Sequence, residues 1–491
     1  MTQAQRHYEA GINAFERGDL NGAEREFRVA LKIRPSHVQA RQNLAVTLAR
    51  QGKREAAVEE FEKALAASPR SPEVHYNLGL VLLEKQDRRS ALKHFRRAVE
   101  LKPDYAEARN NLGVLLEDLG DLDGALAEYR AVVHLRPRYA EAHNNLGALL
   151  ARKGELDAAM AEYRAAIDLR PDFAQAHENL GLALWKKREL GAAEAEFRTA
   201  AALGDPEAQV SLGVVLGETG QLDAAIAAHR KAAELLPMDA EVHYLLGGGL
   251  QQKGDLDAAI AELRRALLLD PKLVAAYLHL GMALRQKGDL EGAIAPLRTA
   301  IYLDAANAEA HYQLGFTLRR KGELAEAATV LRRAVSLRAN YTEAFYVLGQ
   351  TLQQVAKREE AQAAFAEVER LHRADADLAQ ANAQYNLGLQ ALEKGDLRAA
   401  RDAFQAALAI KADFAEAHTN LGGVLLKLGE TDSAIGQFRI ALDLRPDDAR
   451  AYYNLGLALD KKGDAQGARE AFRRALDLDP RLAISPPVSR P

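Results

Sequence analysis

Apolar residues in this chain fall on helical stripes, and the stripes come in pairs. In AEAHNNLGALLARKG, Ala142, Leu146, Leu149 and Leu150 share one face, and Gly154 closes the block in a position suited to the left-handed conformation that ends helices. A second block follows, with Leu156, Ala159, Met160, Tyr163 and Ala166 on one stripe. The residue after the closing glycine is often acidic (Asp19, Asp121, Glu155, Asp255), which favours the positive end of the second helix. Proline then stops that helix, for instance at Pro35, Pro69, Pro137, Pro271 and Pro480. Two helices of about fourteen residues cannot bury their own apolar faces, so neighbouring pairs must stack into a solenoid.

The pairs align on a common phase. With the glycine of each NLG-like text at position eight, units start at 4, 38, 72, 106, 140, 174, 206, 240, 274, 308, 342, 381, 415 and 449, fourteen in all. Position eight is Gly in every unit except at Ala45, position twenty is always Ala, and position twenty-seven is Ala or Val. Position twenty-four is mostly aromatic, as at Phe27, Phe95, Tyr129, Tyr163 and Phe438. Small residues beside large ones at fixed phases predict helices in close contact, with rings as knobs.

Two steps depart from 34 residues. The 32-residue unit ends at Asp205, where Gly204, Asp205 and Pro206 tighten the connection. The 39-residue unit has no Gly or Pro between Gly349 and Gly388, so its second helix lengthens or runs on into the next unit, bending and dividing the array near residues 372 to 381. These breaks predict blocks at 4–205, 206–380 and 381–480, followed by an extended or disordered tail, 481–491. Pro296, inside a second helix, predicts a kink there.

Composition narrows the possibilities. Charged residues make up 27% and are interspersed, and the net charge of −4 gives no general attraction to nucleic acid. There is no local basic patch in this reading, and hence no nucleic-acid partner. The absence of cysteine removes disulfides, thiolate metal sites and Cys nucleophiles. With no export signal and no apolar run near 18 residues, the chain reads as soluble and cytoplasmic, with no membrane span.

Gly or Ala at eight, Ala at twenty, an aromatic at twenty-four, Ala at twenty-seven and Pro at thirty-two, every 34 residues, resemble tetratricopeptide repeats. The repeats are also similar to the repeat arm of the O-linked N-acetylglucosamine transferases, whose catalytic domain has no counterpart here. The resemblance implies an all-α, right-handed superhelical solenoid whose first helices line a groove that grips other proteins. It further implies that positions two, five, six, nine and thirteen of the first helix face that groove.

On that implication Asn43, Asn77, Asn111, Asn145 and Asn179, all at position six, form a ladder across consecutive units, and Asn386, Asn420 and Asn454 form a second. A carboxamide offers both a donor and an acceptor to the main chain of an extended ligand. The same asparagines also belong to the family consensus, so a purely scaffolding role stands beside the ligand-gripping one. Tyrosines at position five, among them Tyr76, Tyr244, Tyr312 and Tyr346, supply rigid contact area or fill space between adjacent helices. Recurrent Glu at position two makes one groove edge acidic.

Seven histidines sit at position four, one repeat apart and never paired at i, i+4, so packing explains them better than metal binding. No nucleophile, acid–base pair, cofactor loop or metal motif stands out. The sequence therefore points to a non-enzymatic scaffold that binds extended or helical segments of partner proteins. Two other functions fit the same pattern: a substrate-recognition arm for an enzyme on another chain, and a self-associating array.

Overall fold

The computed structural model describes residues 2–480 and 482. It contains 27 α-helices and no strand among the described residues. The chain divides into two compact units, one ending at His279 and the other starting at Leu280. We call the fourteen units of the sequence repeats one to fourteen, and the two helices of each A and B. The predicted tail lies outside the described residues apart from Leu482.

Outside repeats one and twelve, the repeat starts read from the sequence are helix starts. The A helices of repeats two to six begin at Val38, Pro72, Ala106, Ala140 and Ala174, and those of repeats ten, thirteen and fourteen at Ala308, Ala415 and Ala449. Within each unit an A helix packs on the B helix of its own repeat, and that B helix packs on the next A helix. Several junctions are capped through side chains. Asp19, Asp121, Asp289 and Asp464 each accept a hydrogen bond from the amide three residues on, which satisfies a donor left open by the helix start.

Close packing explains the two small-residue phases. A methyl added at Gly147 would lie 2.7 Å from the Tyr163 ring, and one at Gly79 would lie 2.7 Å from that of Phe95. The position-twenty-four ring therefore seats directly on the A-helix backbone. Phe27, Phe95, Phe197, Phe404 and Phe438 are fully buried there, as are the position-twenty alanines beside them.

In the second unit the B helix of repeat eleven and the A helix of repeat twelve are one helix, Arg358–Glu393, of 36 residues. At 1.5 Å per residue it runs for about 54 Å. All nine residues from His372 to Gln380 are exposed. One apolar cluster reaches this helix at Ala361 and Ala364, another at Tyr385 and Leu389, and neither includes the exposed stretch. The B helix Leu290–Leu303 keeps its full 14 residues through Pro296, so the proline that predicts a kink does not interrupt the helix. The last helix, Ala465–Leu478, buries only Ala468, Ala471 and Ala475.

Candidate protein-binding face

The position-six asparagines are built into the stack by a repeated hydrogen bond. Asn43 donates its carboxamide N–H to the Tyr8 hydroxyl at 3.3 Å, and Asn111 to that of Tyr76 at 2.9 Å. Asn145 donates to Asn110 Oδ1 at 3.1 Å, and Asn179 to Asn144 Oδ1 at 3.0 Å. In the second unit Asn420 donates to the Tyr385 hydroxyl at 2.8 Å. Every bond joins position six of one repeat to position five of the repeat before.

This arrangement accounts for adjacent asparagines within a helix. In Asn144–Asn145, the first accepts from the following repeat and the second donates to the preceding one. Asn144 and Asn110 are buried, while Asn43, Asn77, Asn111, Asn145 and Asn179 are half-exposed. The oxygens of Asn43, Asn111, Asn145, Asn179 and Asn420 accept no hydrogen bond from any described residue, so that half of each carboxamide remains available. Asn77 and Asn454 are half-exposed and make no such inter-repeat bond among the described residues. Asn386 lies on the long fused helix and is exposed.

The position-five tyrosines are shared between packing and surface. Tyr76 lies with its ring centroid 6.0 Å from Phe95 and 5.1 Å from Tyr105, half-buried. Tyr244 meets the edge of His279, which occupies position six, at 5.4 Å. In the second unit Tyr312 contacts Tyr341 at 5.0 Å and Phe316 at 6.2 Å, with the Arg285 guanidinium 4.6 Å above Phe316. Burial of Arg285 lowers its pKa. Tyr346 contacts Phe365 at 6.0 Å yet keeps 49% of its surface exposed.

The expected acidic edge is largely neutralised. Glu107 pairs with Arg136 at 2.5 Å, Glu141 with Arg170 at 2.6 Å and Glu416 with Arg445 at 2.5 Å. Each partner lies 29 residues on, at the end of the same repeat, so the glutamates stitch the hairpin more than they charge its rim.

Position four is the feature that hydrophobic patterning misses. His143 Nδ1 lies 2.6 Å from Glu162 and Nε2 lies 2.9 Å from the Pro137 carbonyl. His177 and His243 repeat the clamp, with Glu196 and Pro171, and with Glu262 and Pro237. Arg41 and Arg109 do the same with Glu60 and Pro35, and with Glu128 and Pro103. A side chain with two reaching ends, buried where it is His and half-buried where it is Arg, thus ties an A helix to its own B helix and to the preceding turn. The glutamate nineteen residues downstream is visible in the sequence, and pairing it with position four would have exposed the clamp. Among the described residues no three His, Cys, Asp or Glu side chains converge as for a metal ion.

The tetratricopeptide repeat family matches residues 76–140, 179–240, 385–443 and 419–483. Related tetratricopeptide repeat matches cover 47–86, 149–187, 250–286, 281–320 and 308–341. The chain is a tetratricopeptide repeat protein. No curated protein matches this repeat protein. Among solved structures it is similar to YrrB, described as a TPR protein with an unusual peptide-binding site, at 26% identity over 37% of this chain and 95% of that one, with a TM-score of 0.35. It is also similar to the Cut9–Hcn1 hetero-tetramer of the APC/C, at 18% identity over 98% and 94% of the two chains, TM-score 0.37. MamA from Desulfovibrio magneticus RS-1 matches at 24% identity over 34% and 94%, TM-score 0.32. No helix among the described residues of this repeat protein is long and apolar enough to cross a membrane.

Proposed function

We propose that this tetratricopeptide repeat protein is a non-enzymatic scaffold that holds extended or helical segments of partner polypeptides against its A-helix face. The observation that carries the reading is the row Asn111, Asn145 and Asn179. Each side chain is fixed by its donated bond, half-exposed, and left with an unused carboxamide oxygen. Fixed acceptors one repeat apart suit the main-chain N–H groups of a ligand and ask little of its side chains. Each such bond contributes about 0.5–1.5 kcal/mol, so the row alone gives weak binding and contacts to the ligand's side chains must add to it. The three blocks 4–205, 206–380 and 381–480 form part of the proposal, as segments able to engage separate stretches of partner.

The test uses peptides selected from a random library on the full chain, with hydrogen exchange to locate them. Val114→Arg and Ala148→Arg place a bulky cation at position nine of the same face without touching the asparagine bonds. Selected peptides should protect the A helices of repeats three to six and lose at least tenfold in affinity to these variants. Protection confined to B helices, or unchanged affinity, would sink the reading.

A further inference from the structure

The B helix of repeat three, Arg88–Leu101 with the text RRSALKHFRRAVEL, departs from its counterparts in charge. Position eighteen is acidic in repeats two, four and five (Glu55, Asp123, Asp157) but Arg89 here. Position twenty-three is Glu in the other five of the first six repeats (Glu26, Glu60, Glu128, Glu162, Glu196) but His94 here. Position twenty-two, alanine in repeats four to six, is Lys93. All three changes remove negative charge or add positive charge on one side of one helix.

The inter-repeat ion pair has been cleared at the same place. Lys85, Lys153 and Lys187, at position fourteen, reach back to Glu55 at 3.4 Å, Asp123 at 2.6 Å and Asp157 at 2.5 Å of the preceding repeat. Opposite Arg89 that lysine is replaced by Leu119, 49% exposed. Arg89, Lys93 and Arg97 follow one another at i, i+4 and i+8, a spacing at which like charges repel. Arg97 pairs with Glu100 at 2.9 Å, and Arg89 and Lys93 have no ion pair with any described residue.

These side chains border a cleft of about 570 Å³ that reaches Pro69, in the turn before the A helix, and the ring pair His75–His94. His75 Nδ1 lies 2.9 Å from His94 Nδ1, and His75 Nε2 lies 3.2 Å from the Pro69 carbonyl. A carbonyl only accepts, so His75 carries its proton on Nε2 and accepts at Nδ1 from His94. When His94 is neutral, its Nε2 is the ring nitrogen that keeps a lone pair. Burial, then His75, then Lys93 push His94 down to about 4, so the ring by itself is uncharged at neutral pH.

We propose that this cleft is a binding site for a phosphate group, with Arg89, Lys93 and Arg97 as its charged wall and His94 Nε2 as a donor at its floor. A dianion there takes up the uncompensated charge, and His94 gains one proton from solvent so that Nδ1–H still reaches His75 while Nε2–H reaches a phosphate oxygen. The carboxylate of Glu100 stays on Arg97, leaving Arg89 and Lys93 for the ligand. The same chemistry is presented by inorganic phosphate, a small phosphate compound or a phosphorylated side chain.

The decisive variant is His94→Glu, which restores the His–Glu clamp present in repeats five, six and eight and is expected to fold with undiminished thermal stability. At low salt, inorganic phosphate should saturably shift the His94 ring signals of the full-length wild type toward the protonated positions, while His75 stays neutral as the acceptor of the His94 N–H. The His94→Glu protein should bind at least tenfold more weakly, and Arg89→Asp should weaken binding likewise. A phosphoserine peptide that binds more tightly than inorganic phosphate marks a polypeptide source, and one that binds no better marks a free phosphate compound. No saturable shift with either probe, equal binding by folded His94→Glu protein, or binding of duplex DNA alone with no competition from phosphate would overturn the proposal.

Discussion

Asn145 donates a hydrogen bond to Asn110 across the junction of repeats four and five, at 3.1 Å, and Asn110 is only 9% exposed. Removing the donor leaves a buried carboxamide oxygen without its partner, which costs about 1–3 kcal/mol. Asn145→Ala should therefore loosen repeats four and five locally, and Asn110→Ala with Asn145→Ala should cost less than the sum of the single changes. An array opens in parts, so native-state hydrogen exchange of the A helices Ala106–Asp118 and Ala140–Arg152 is the measurement. Full additivity would mean that the bond contributes nothing to the junction.

His311 shows what happens when the position-four clamp loses its acid. Its Nε2 lies 3.2 Å from the Ala305 carbonyl, but Nδ1 is buried without a partner. The residue nineteen positions on is Val330, where other repeats carry Glu. Val330→Glu should supply the missing acceptor and stabilise repeat ten by about 1 kcal/mol, seen as slower exchange in Ala308–Lys321. A loss of protection would show that the glutamate does not reach the ring there.

How much of this was legible in sequence follows from what each residue interacts with. Apolar periodicity and the glycine stops placed the helices, because burial and backbone conformation act on single residues: Gly154 adopts φ +85°, and Gly147 seats Tyr163. The fused helix was foreshadowed by the lack of any Gly or Pro between Gly349 and Gly388. Relations between distant positions were harder to see. Asn145 with Asn110 and His143 with Glu162 are separated by 35 and 19 residues, and each member alone looks like consensus or packing. The pairing leaves a trace in this one chain: where position four is Phe345 or Tyr452, position twenty-three is Ala364 or Ala471 and no acid is kept. The basic side of Arg88–Leu101 was missed because the chain as a whole is slightly acidic, which hides a local excess on one helix.

His229 occupies the position-twenty-four site where other repeats place an aromatic ring or Leu. It is 6% exposed, its ring seats on Gly213, and neither nitrogen makes a hydrogen bond. Burial lowers its pKa. His229→Phe restores the repeat's usual ring and removes two orphaned polar atoms, so it should stabilise repeat seven by about 1–3 kcal/mol. A higher denaturation midpoint for the full chain, with slower exchange in Pro206–Glu218, is the expected result. A destabilised Phe variant would mean that the site is too small for the ring.

Glu178 gives the chain a pH dependence with a definite sign. It stands at position five of repeat six, next to the short connection at Asp205, and its pKa is raised to about 7 by burial and then by the Asp205 carboxylate. A carboxyl whose folded pKa lies above its unfolded value, about 4.3, contributes stability that is complete below the unfolded pKa. That contribution is lost as pH rises through about 7, where the folded state must hold two carboxylates side by side. Glu178→Gln keeps a neutral hydrogen-bonding side chain at every pH. The variant and the wild type should therefore match near pH 4, and the variant should become progressively more stable from there to pH 8. Thermal melts of both proteins across that range decide it. Parallel curves would mean that Glu178 is solvated well enough to ionise without cost, and a variant weaker at pH 8 would mean that the carboxylate itself is bound by a cationic partner.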